Sequence, residues 1–339
     1  MSKNTFFTVL ASLSLLTFSA CSGGGGGGSS STTDYLNEEI SCVTDAAASL
    51  LNTCLKEVLS QEIEYKNLRA YEPTYQLYAN GASKKRWIYL PVGTQIDTSN
   101  PDAWVFPVGT ILWKEFSLAG KKIETRKIEK LTVGTGNSSW SFSSYLWRED
   151  QTDADPTTDG IHAVAGVDYE RVNHISDYTV PALSKCTNCH QGAADTPLGF
   201  NYLQLSNNHS TGLSLSTADV LPWLTQAPTT LDEIAGDATA KAALGYLHAN
   251  CAHCHSPAGL AQATFHMNHV SGTTTVTAEN AYANTVNVGA TVYVTPHDLA
   301  NSYIYQRVTN SEMPPDFAFQ KHGIDATGLT ILSDWILSL

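Results

Sequence analysis

Two short stretches of the chain carry two cysteines and a histidine in the same spacing, C-x-x-C-H. The first covers residues 186–190 and the second covers residues 251–255. Two thiols one helical turn apart can add to the two vinyl groups of haem, and the adjacent imidazole can then bind the iron. The spacing therefore predicts two covalently bound haem c groups.

Two other chemistries also use cysteine pairs. Two C-x-x-C pairs can form a four-cysteine zinc site, and one pair can form a thioredoxin-like redox centre. Zinc pairs usually lie closer than these, whose first cysteines are 65 residues apart, and redox pairs need no following histidine. Haem attachment is therefore the favoured interpretation. The residues predicted to attach haem are Cys186, Cys189, His190, Cys251, Cys254 and His255.

His190 and His255 are the predicted proximal iron ligands, and the scarcity of methionine limits the choice of sixth ligand. Apart from Met1 the chain has only Met267 and Met313, and neither lies between the two motifs. The sixth ligand of the first iron is therefore a histidine, a distant methionine, a weak ligand or water. The histidines considered for that position are His162, His174 and His209.

The N-terminus has the features of an exported protein. Lys3, an apolar run and two small residues are typical of a signal peptide over residues 1–20. Cys21 follows in a context that resembles a bacterial lipobox, and residues 21–33 form a Gly/Ser tether. These features predict an outer-membrane lipoprotein of the cell envelope, facing the periplasm or the exterior. The alternative is a soluble periplasmic protein with an ordinary cleaved signal.

The remaining cysteines, Cys42 and Cys54, are candidates for a disulfide, which an oxidising compartment permits. One unbroken helix would hold them roughly 18 Å apart, too far for a bridge, so a disulfide requires a break in the helix. A disulfide and two free thiols both remain open.

The composition narrows the choice of partners. The chain has 339 residues and a formal net charge of -13, with 15% charged residues. Such acidity disfavours nucleic acid and anionic membrane surfaces, so membrane contact is expected only through the lipid anchor. The partner that this charge suits best is a basic, exported redox protein.

The pattern of apolar residues predicts an α+β protein with an antiparallel sheet. Residues 34–83 are predicted as a helical N-terminal segment, and residues 84–238 as a β-rich domain that carries the first haem. Residues 239–339 are predicted as a mostly helical domain that carries the second haem. Within that domain the Thr- and Val-rich stretch 271–294 suggests a hairpin. The tryptophans between residues 104 and 147 suggest core packing or an apolar wall beside a haem.

The C-terminal part resembles a class I cytochrome c domain. Its first helix carries C-x-x-C-H, Met313 lies in a Met-Pro-Pro loop, and a final helix carries Trp335. The resemblance implies His255 as proximal ligand and Met313 as distal ligand of the second iron. Met267 remains a rival, because the chemistry of the axial ligand allows either methionine.

Roughly residues 65–339 resemble a family of exported bacterial dihaem c-type cytochromes, most of them functionally uncharacterised. The shared stretches include RWIYLP at residues 86–91, FPVGT at 106–110 and KEF at 114–116. The first half also resembles the β-sheet cytochromes of the cytochrome c-prime-beta type, which hold an exposed or open iron. These resemblances imply haem and electron transfer, and they imply no substrate.

The predicted function is electron transfer through two haems for another exported protein. Two alternatives place an open iron at the first haem: a peroxidase-like enzyme, with the second haem as electron feeder, or a sensor of small ligands. A fully ligated iron suits electron transfer, whereas an open iron binds exogenous molecules. The sequence names no catalytic acid or base, so whether the protein is an enzyme stays open.

Overall fold

The computed structural model describes residues 67–162, 178–206, 212–216, 220–261, 265–286, 292–315 and 324–339. For Ile161 and His162 only the backbone is described. The predicted signal peptide, the lipidation site, the tether, the candidate disulfide and two histidines considered as iron ligands lie outside these ranges. The residues concerned are Cys21, Cys42, Cys54, His174 and His209.

Six antiparallel strands form one sheet, and each strand pairs with the next along the chain. The strands are β1 (Leu68–Ala70), β2 (Ser83–Tyr89), β3 (Ile111–Leu118), β4 (Lys121–Lys130), β5 (Trp140–Trp147) and β6 (Ala154–Thr157). Strands β7 (Ile161–His162) and β8 (Thr179–Val180) form a separate antiparallel pair.

The connection between β3 and β4 shows how local sequence builds this sheet. Ala119 and Gly120 both have positive φ, 52° and 78°, which is the conformation of a type I′ hairpin turn. Glycine adopts this conformation without strain, and the turn brings β4 back along β3.

Aromatic side chains fill much of the core beside the sheet. Trp104, Phe106 and Trp140 pack with Tyr71 and Phe200 in one buried cluster. Trp113 and Trp147 are also buried. Most of the tryptophan-rich stretch therefore serves as core, as the first of its two interpretations predicted.

Six helices lie among the described residues. They are α1 (Cys186–His190), α2 (Tyr202–Leu205), α3 (Ala238–Asn250), α4 (Asn280–Thr285), α5 (Tyr303–Thr309) and α6 (Ala326–Ser338). Single turns of 3-10 helix occur at Asn137–Ser139, Leu183–Lys185, Leu221–Trp223 and Val276–Ala278. None of the helices in the described ranges has the length and apolar character needed to cross a lipid bilayer.

The two longest of these helices, α3 and α6, pack against each other. Each begins at an aspartate whose side chain accepts a hydrogen bond from a backbone N–H in the first turn, Asp237 for α3 and Asp325 for α6. Gly328 of α6 lies against the ring of Tyr246, where an added Cβ would come within 2.3 Å of the ring. Trp335 of α6 is buried in the same core as α3.

The structure confirms the α+β class, with an antiparallel sheet and helices, and corrects two local predictions. In the stretch 271–294 the described residues, 271–286 and 292–294, hold a 3-10 turn and helix α4 instead of a hairpin. Strand β1 lies within the segment 34–83 that was predicted to be helical. Strand β6 pairs with β5 within residues 149–160, an acidic stretch with no apolar alternation to indicate a strand.

Candidate functional site

The first C-x-x-C-H motif forms helix α1, which starts directly after a 3-10 turn. One helical turn therefore separates Cys186 from Cys189, which places both thiols on the same side of the helix. Both cysteines are half-buried and free. Burial raises the pKa of Cys186, and it raises the pKa of Cys189 to about 12, with the nearby Cys254 as the next cause.

The side chain of His190 is held by a short loop that follows α1. Its Nδ1–H donates to the carbonyl oxygen of Thr196 at 2.7 Å, and its ring lies edge-on to Phe142 of β5 with ring centroids 5.4 Å apart. Burial lowers the pKa of His190 to about 4, so the imidazole is neutral. The bond at Nδ1 fixes the tautomer and leaves Nε2 with a lone pair, as a metal-ligating histidine requires.

Asp195, which sequence reasoning missed, anchors that loop to the sheet. Its carboxylate accepts a hydrogen bond from the backbone N–H of Phe106 at 2.8 Å and from the indole N–H of Trp140 at 2.9 Å, and it pairs with Lys130. The Asp195 and Lys130 side chains are 0% and 1% exposed. Because Asp195 precedes Thr196, this buried group of contacts sets the position of the carbonyl that orients His190.

The second motif follows the end of helix α3. The backbone N–H of His255 donates to the carbonyl of Cys251 at 2.8 Å, which keeps a helical turn between the two residues. Burial raises the pKa of Cys251 to about 12 and that of Cys254 to about 11, and both thiols are free. The ring of His255 stacks on Phe265 with centroids 4.6 Å apart.

A cavity of about 410 Å³ lies beside the second motif. Cys251, Cys254 and His255 line one part of it, and Met313 with its two following prolines lines another. The volume falls in the range of ligand and cofactor sites. The predicted attachment residues and the predicted distal ligand therefore share one cavity.

These residues suit a covalently attached haem. Two thiols, an imidazole and a thioether are the attachment and axial groups of a cytochrome c site. Among the described residues the buried Nδ1 atom of His255 has no hydrogen-bond partner, so no hydrogen bond like that from His190 to Thr196 orients its ring. Burial also lowers the pKa of His255, so the ring is neutral, as a ligand must be.

The two methionines occupy different surroundings in this cavity. Met267 also lines it, but its side chain is 3% exposed and packs in the core with α3 and α6. Its backbone N–H donates to the carbonyl of His255 at 2.9 Å. Met313 is half-buried at the cavity wall. The core packing of Met267 favours Met313 as the residue available to an iron.

The two motifs meet at Gly192, two residues after the first motif. A Cβ atom added to Gly192 would lie 2.0 Å from the carbonyl oxygen of His253, inside the second motif. Only a residue without a side chain allows so close an approach of the two backbones. The sequence reasoning did not identify Gly192, because the motifs are far apart along the chain.

A second cavity, of about 320 Å³, lies on another side of the second motif. His269 lines it and is held between two buried carboxylates, with its Nδ1–H donating to Glu279 at 2.9 Å and its Nε2–H donating to Asp232 at 3.1 Å. Burial opposes the charged form of His269, but the hydrogen bonds and charges of the two carboxylates prevail and raise its pKa to about 9. Both ring nitrogens are therefore engaged, which excludes His269 as an iron ligand in this arrangement.

The alternative chemistries of the cysteine pairs find less support. Within the described part of the chain, no three side chains from histidine, cysteine, aspartate and glutamate converge as a metal site would require. The four motif cysteines are unpaired thiols, and burial raises the pKa of each of them. A thioredoxin-like centre needs a lowered thiol pKa instead.

Comparison of the chain with protein-family models, with curated proteins and with solved structures found no match.

Proposed function

We propose that this chain is a dihaem c-type cytochrome that transfers electrons at the bacterial cell envelope for another exported redox protein. Its first haem is attached at Cys186 and Cys189, and its second at Cys251 and Cys254. The helical part around the second motif then serves as a cytochrome c-like domain, a reading that the packing of α3 on α6 and the Met-Pro-Pro loop support. The lipid anchor at Cys21 belongs to the same proposal.

The observation that carries this proposal is the contact between the two motifs. Each motif presents two thiols and an imidazole with cytochrome c spacing, and Gly192 brings the two backbones together. When bound, haem supplies an iron that accepts and releases one electron. Attachment sites in contact place two such cofactors close enough to exchange electrons within one protein.

The chain's own residues have separate tasks in this function. The four thiols fix the position of each cofactor, and His190 and His255 are neutral imidazoles suited to the proximal positions. Thr196 holds the ring of His190 in one orientation. Met313 is the proposed distal ligand at the second motif, and its thioether favours a high reduction potential.

The test is the ferrous absorption spectrum of haem-loaded protein with and without carbon monoxide. An electron relay with both irons fully ligated gives the same spectrum in both samples. A carbon monoxide shift in half of the signal would contradict the relay, because one iron would then be open to small molecules. If the open iron is the one at the first motif, His190→Ala should alter the part of the spectrum that shifts with carbon monoxide. The peroxidase-like or sensor function would then replace the relay.

A further inference from the structure

Three cations stand side by side across three neighbouring strands of the sheet. Arg86 of β2 pairs directly with Lys114 of β3, and Lys114 pairs directly with Arg126 of β4. Directly paired residues of antiparallel strands point to the same face of the sheet. The next residue across is Ser144 of β5, which is 4% exposed and whose hydroxyl has no partner among the described residues. We call Arg86, Lys114, Arg126 and Ser144 the cation row.

Apolar side chains flank the cation row on the same face. On one side lie Ile88, Leu112, Ile128 and Phe142, which are paired across the same four strands. On the other side the apolar Phe116 and Leu146 alternate with Lys84 and Glu124. Like charges directly opposite one another destabilise a sheet, and apolar neighbours increase the cost by removing water. A row of cations in such a place needs negative charge nearby.

The protein supplies only part of that negative charge. Arg126 pairs with Glu124, whose Oε2 atom accepts from Nε of Arg126 at 2.9 Å. Arg86 donates to the side-chain oxygen of Gln76 at 3.2 Å, which is a neutral partner. The contact of the Lys114 ammonium within the described residues is with the ring of Phe116, 5.3 Å from its centroid. No carboxylate of these residues lies within ion-pair distance of Lys114.

Lys114 faces both of the cavities that lie beside the second motif. Arg126 lines the cavity of the second motif, and Arg86 lines the other cavity. Burial lowers the pKa of Lys114 well below its usual range, and the charges of Arg86, Lys84 and Arg126 lower it further. The charged form of Lys114 therefore needs a negative group that the described residues do not supply.

We infer that the cation row is a carboxylate-binding site and that its occupant is a propionate group of the haem attached at Cys251 and Cys254. The inference rests on the proposed function, because it assumes that haem is attached there. Lys114 and Arg126 share the cavity with both of these cysteines. Covalent attachment keeps the haem carboxylates at high local concentration, so they outcompete free anions.

Ferric haem carries one more positive charge than ferrous haem. A positive charge beside the haem therefore destabilises the ferric form more than the ferrous form, so the row raises the reduction potential. Charge interactions in a cavity shielded from water are stronger than at the surface. The pairing with a propionate reduces this effect without removing it, because the three cations of the row then face two carboxylates, Glu124 and the propionate.

The experiment compares full-length, haem-loaded wild type with Lys114→Met. The haem content of each sample is first measured by intact mass. The propionate bending band is then recorded by resonance Raman spectroscopy, and the reduction potentials by spectroelectrochemical titration. The expected result is a shifted propionate band and a lowered potential in the variant. Lys114→Gln, which keeps a hydrogen-bond donor but no charge, is the second variant in case Lys114→Met fails to fold.

Lys127→Met is the matched control. Lys127 is the neighbour of Arg126 on β4, lies on the opposite face of the sheet and pairs with Glu129 at 3.0 Å. The Lys127→Met variant should therefore show the same propionate band as the wild type. An unchanged band in both Lys114 variants would overturn the inference, even if the potential fell, because the charge would then act only from a distance.

Succinate distinguishes a haem propionate from a free carboxylate. Added succinate should leave the spectrum and melting temperature of the wild type unchanged, because the site is already filled. A succinate effect on the wild type that is lost in Lys114→Met would overturn the assignment to a propionate. A sample with no attached haem would instead refute the proposed function, which separates the two failures.

Discussion

Asp195 links the sheet to the first motif at the level of single side chains. It accepts hydrogen bonds from Phe106 and Trp140 and pairs with the buried Lys130. Asp195→Asn keeps the shape of the side chain and removes its charge, so Lys130 is left as a buried, uncompensated cation. We expect a loss of about 3 kcal/mol in the free energy of unfolding, measured by urea denaturation.

Asp155→Asn provides the comparison for this prediction. Asp155 pairs with Arg148, but both side chains are about half exposed, at 57% and 49%. Water screens an exposed ion pair, so we expect Asp155→Asn to change the free energy of unfolding much less than Asp195→Asn does. Equal losses in the two variants would show that the Asp195 pair is not a buried anchor.

The pH dependence of stability should follow His269. Its pKa is raised to about 9 in the folded protein, whereas an imidazole in an unfolded chain titrates near ~6.5. The folded state therefore holds this proton more tightly. The resulting stabilisation is fully present below pH ~6.5 and is lost as the pH rises through about 9.

His269→Gln tests this pH dependence. The gap between the urea midpoints of wild type and variant should be largest near pH ~6 and should shrink toward pH ~10. Lys241→Gln, which breaks the exposed pair with Glu233, should show a small gap throughout. A gap for His269→Gln that stays constant or grows with pH would contradict the charged state assigned to this histidine.

Some site residues can be recognised from a short sequence motif, and others cannot. The cysteines and histidines of the two motifs are recognisable because haem attachment needs a fixed spacing within five residues. Asp195 carries no such signal, since its partner Lys130 is 65 residues away along the chain. Its role depends on tertiary packing, which no local pattern records.

At the scale of elements, the approach of the loop after α1 to the second motif depends on Gly192. Gly192→Ala would place a Cβ atom 2.0 Å from the carbonyl oxygen of His253, so one of the two backbones must move. We expect a loss of about 1–3 kcal/mol in the free energy of unfolding, because overpacking a rigid contact costs this much. Denaturant unfolding of the haem-loaded protein measures it.

Electron exchange between the two proposed haems gives a second readout for Gly192→Ala. Separation of the motifs should slow this exchange, measured by flash photolysis of the half-reduced protein. Ser184→Ala, at an exposed position before the first motif, should change neither stability nor exchange. An unchanged rate in a destabilised Gly192→Ala protein would show that the contact serves only the fold.

Element prediction succeeded where local and tertiary preferences agree. Helices α3 and α6 have aspartate N-caps and are rich in alanine or leucine, and they are the predicted helix before the second motif and the predicted final helix that carries Trp335. The hairpin predicted for the Thr- and Val-rich stretch 271–294 was wrong, because helix α4 depends on tertiary contacts that the local sequence does not show. Ala281 and Thr285 of α4 are buried, and the preceding Glu279 is held by His269.

At the scale of the whole molecule, charge should govern the encounter with redox partners. The net charge of -13 attracts cationic reagents at low ionic strength, and salt screens this attraction. We expect added salt to slow electron exchange with the cationic hexaammineruthenium and to speed exchange with the anionic ferricyanide. Stopped-flow absorbance measures both rates. The opposite salt dependence would contradict the proposed basic partner and point to local positive charge where electrons enter the protein.

The contact between the two motifs depends on the whole fold and was not predictable from the sequence. The α+β class follows from strand and helix patterns, but the contact between the motifs depends on the whole sheet and on the loop that Asp195 anchors. The sequence predicts two separate haem sites, and the structure brings the backbone after the first motif into contact with the second motif.

The most direct test of the account is the number of covalently attached haems, measured by intact mass and by the pyridine haemochrome spectrum. Wild-type protein produced in cells with a cytochrome c maturation system should carry two haems. Cys186→Ser combined with Cys189→Ser should leave one, and so should Cys251→Ser combined with Cys254→Ser. Wild-type protein without haem, or a haem content that these changes leave unaltered, would contradict the central claim.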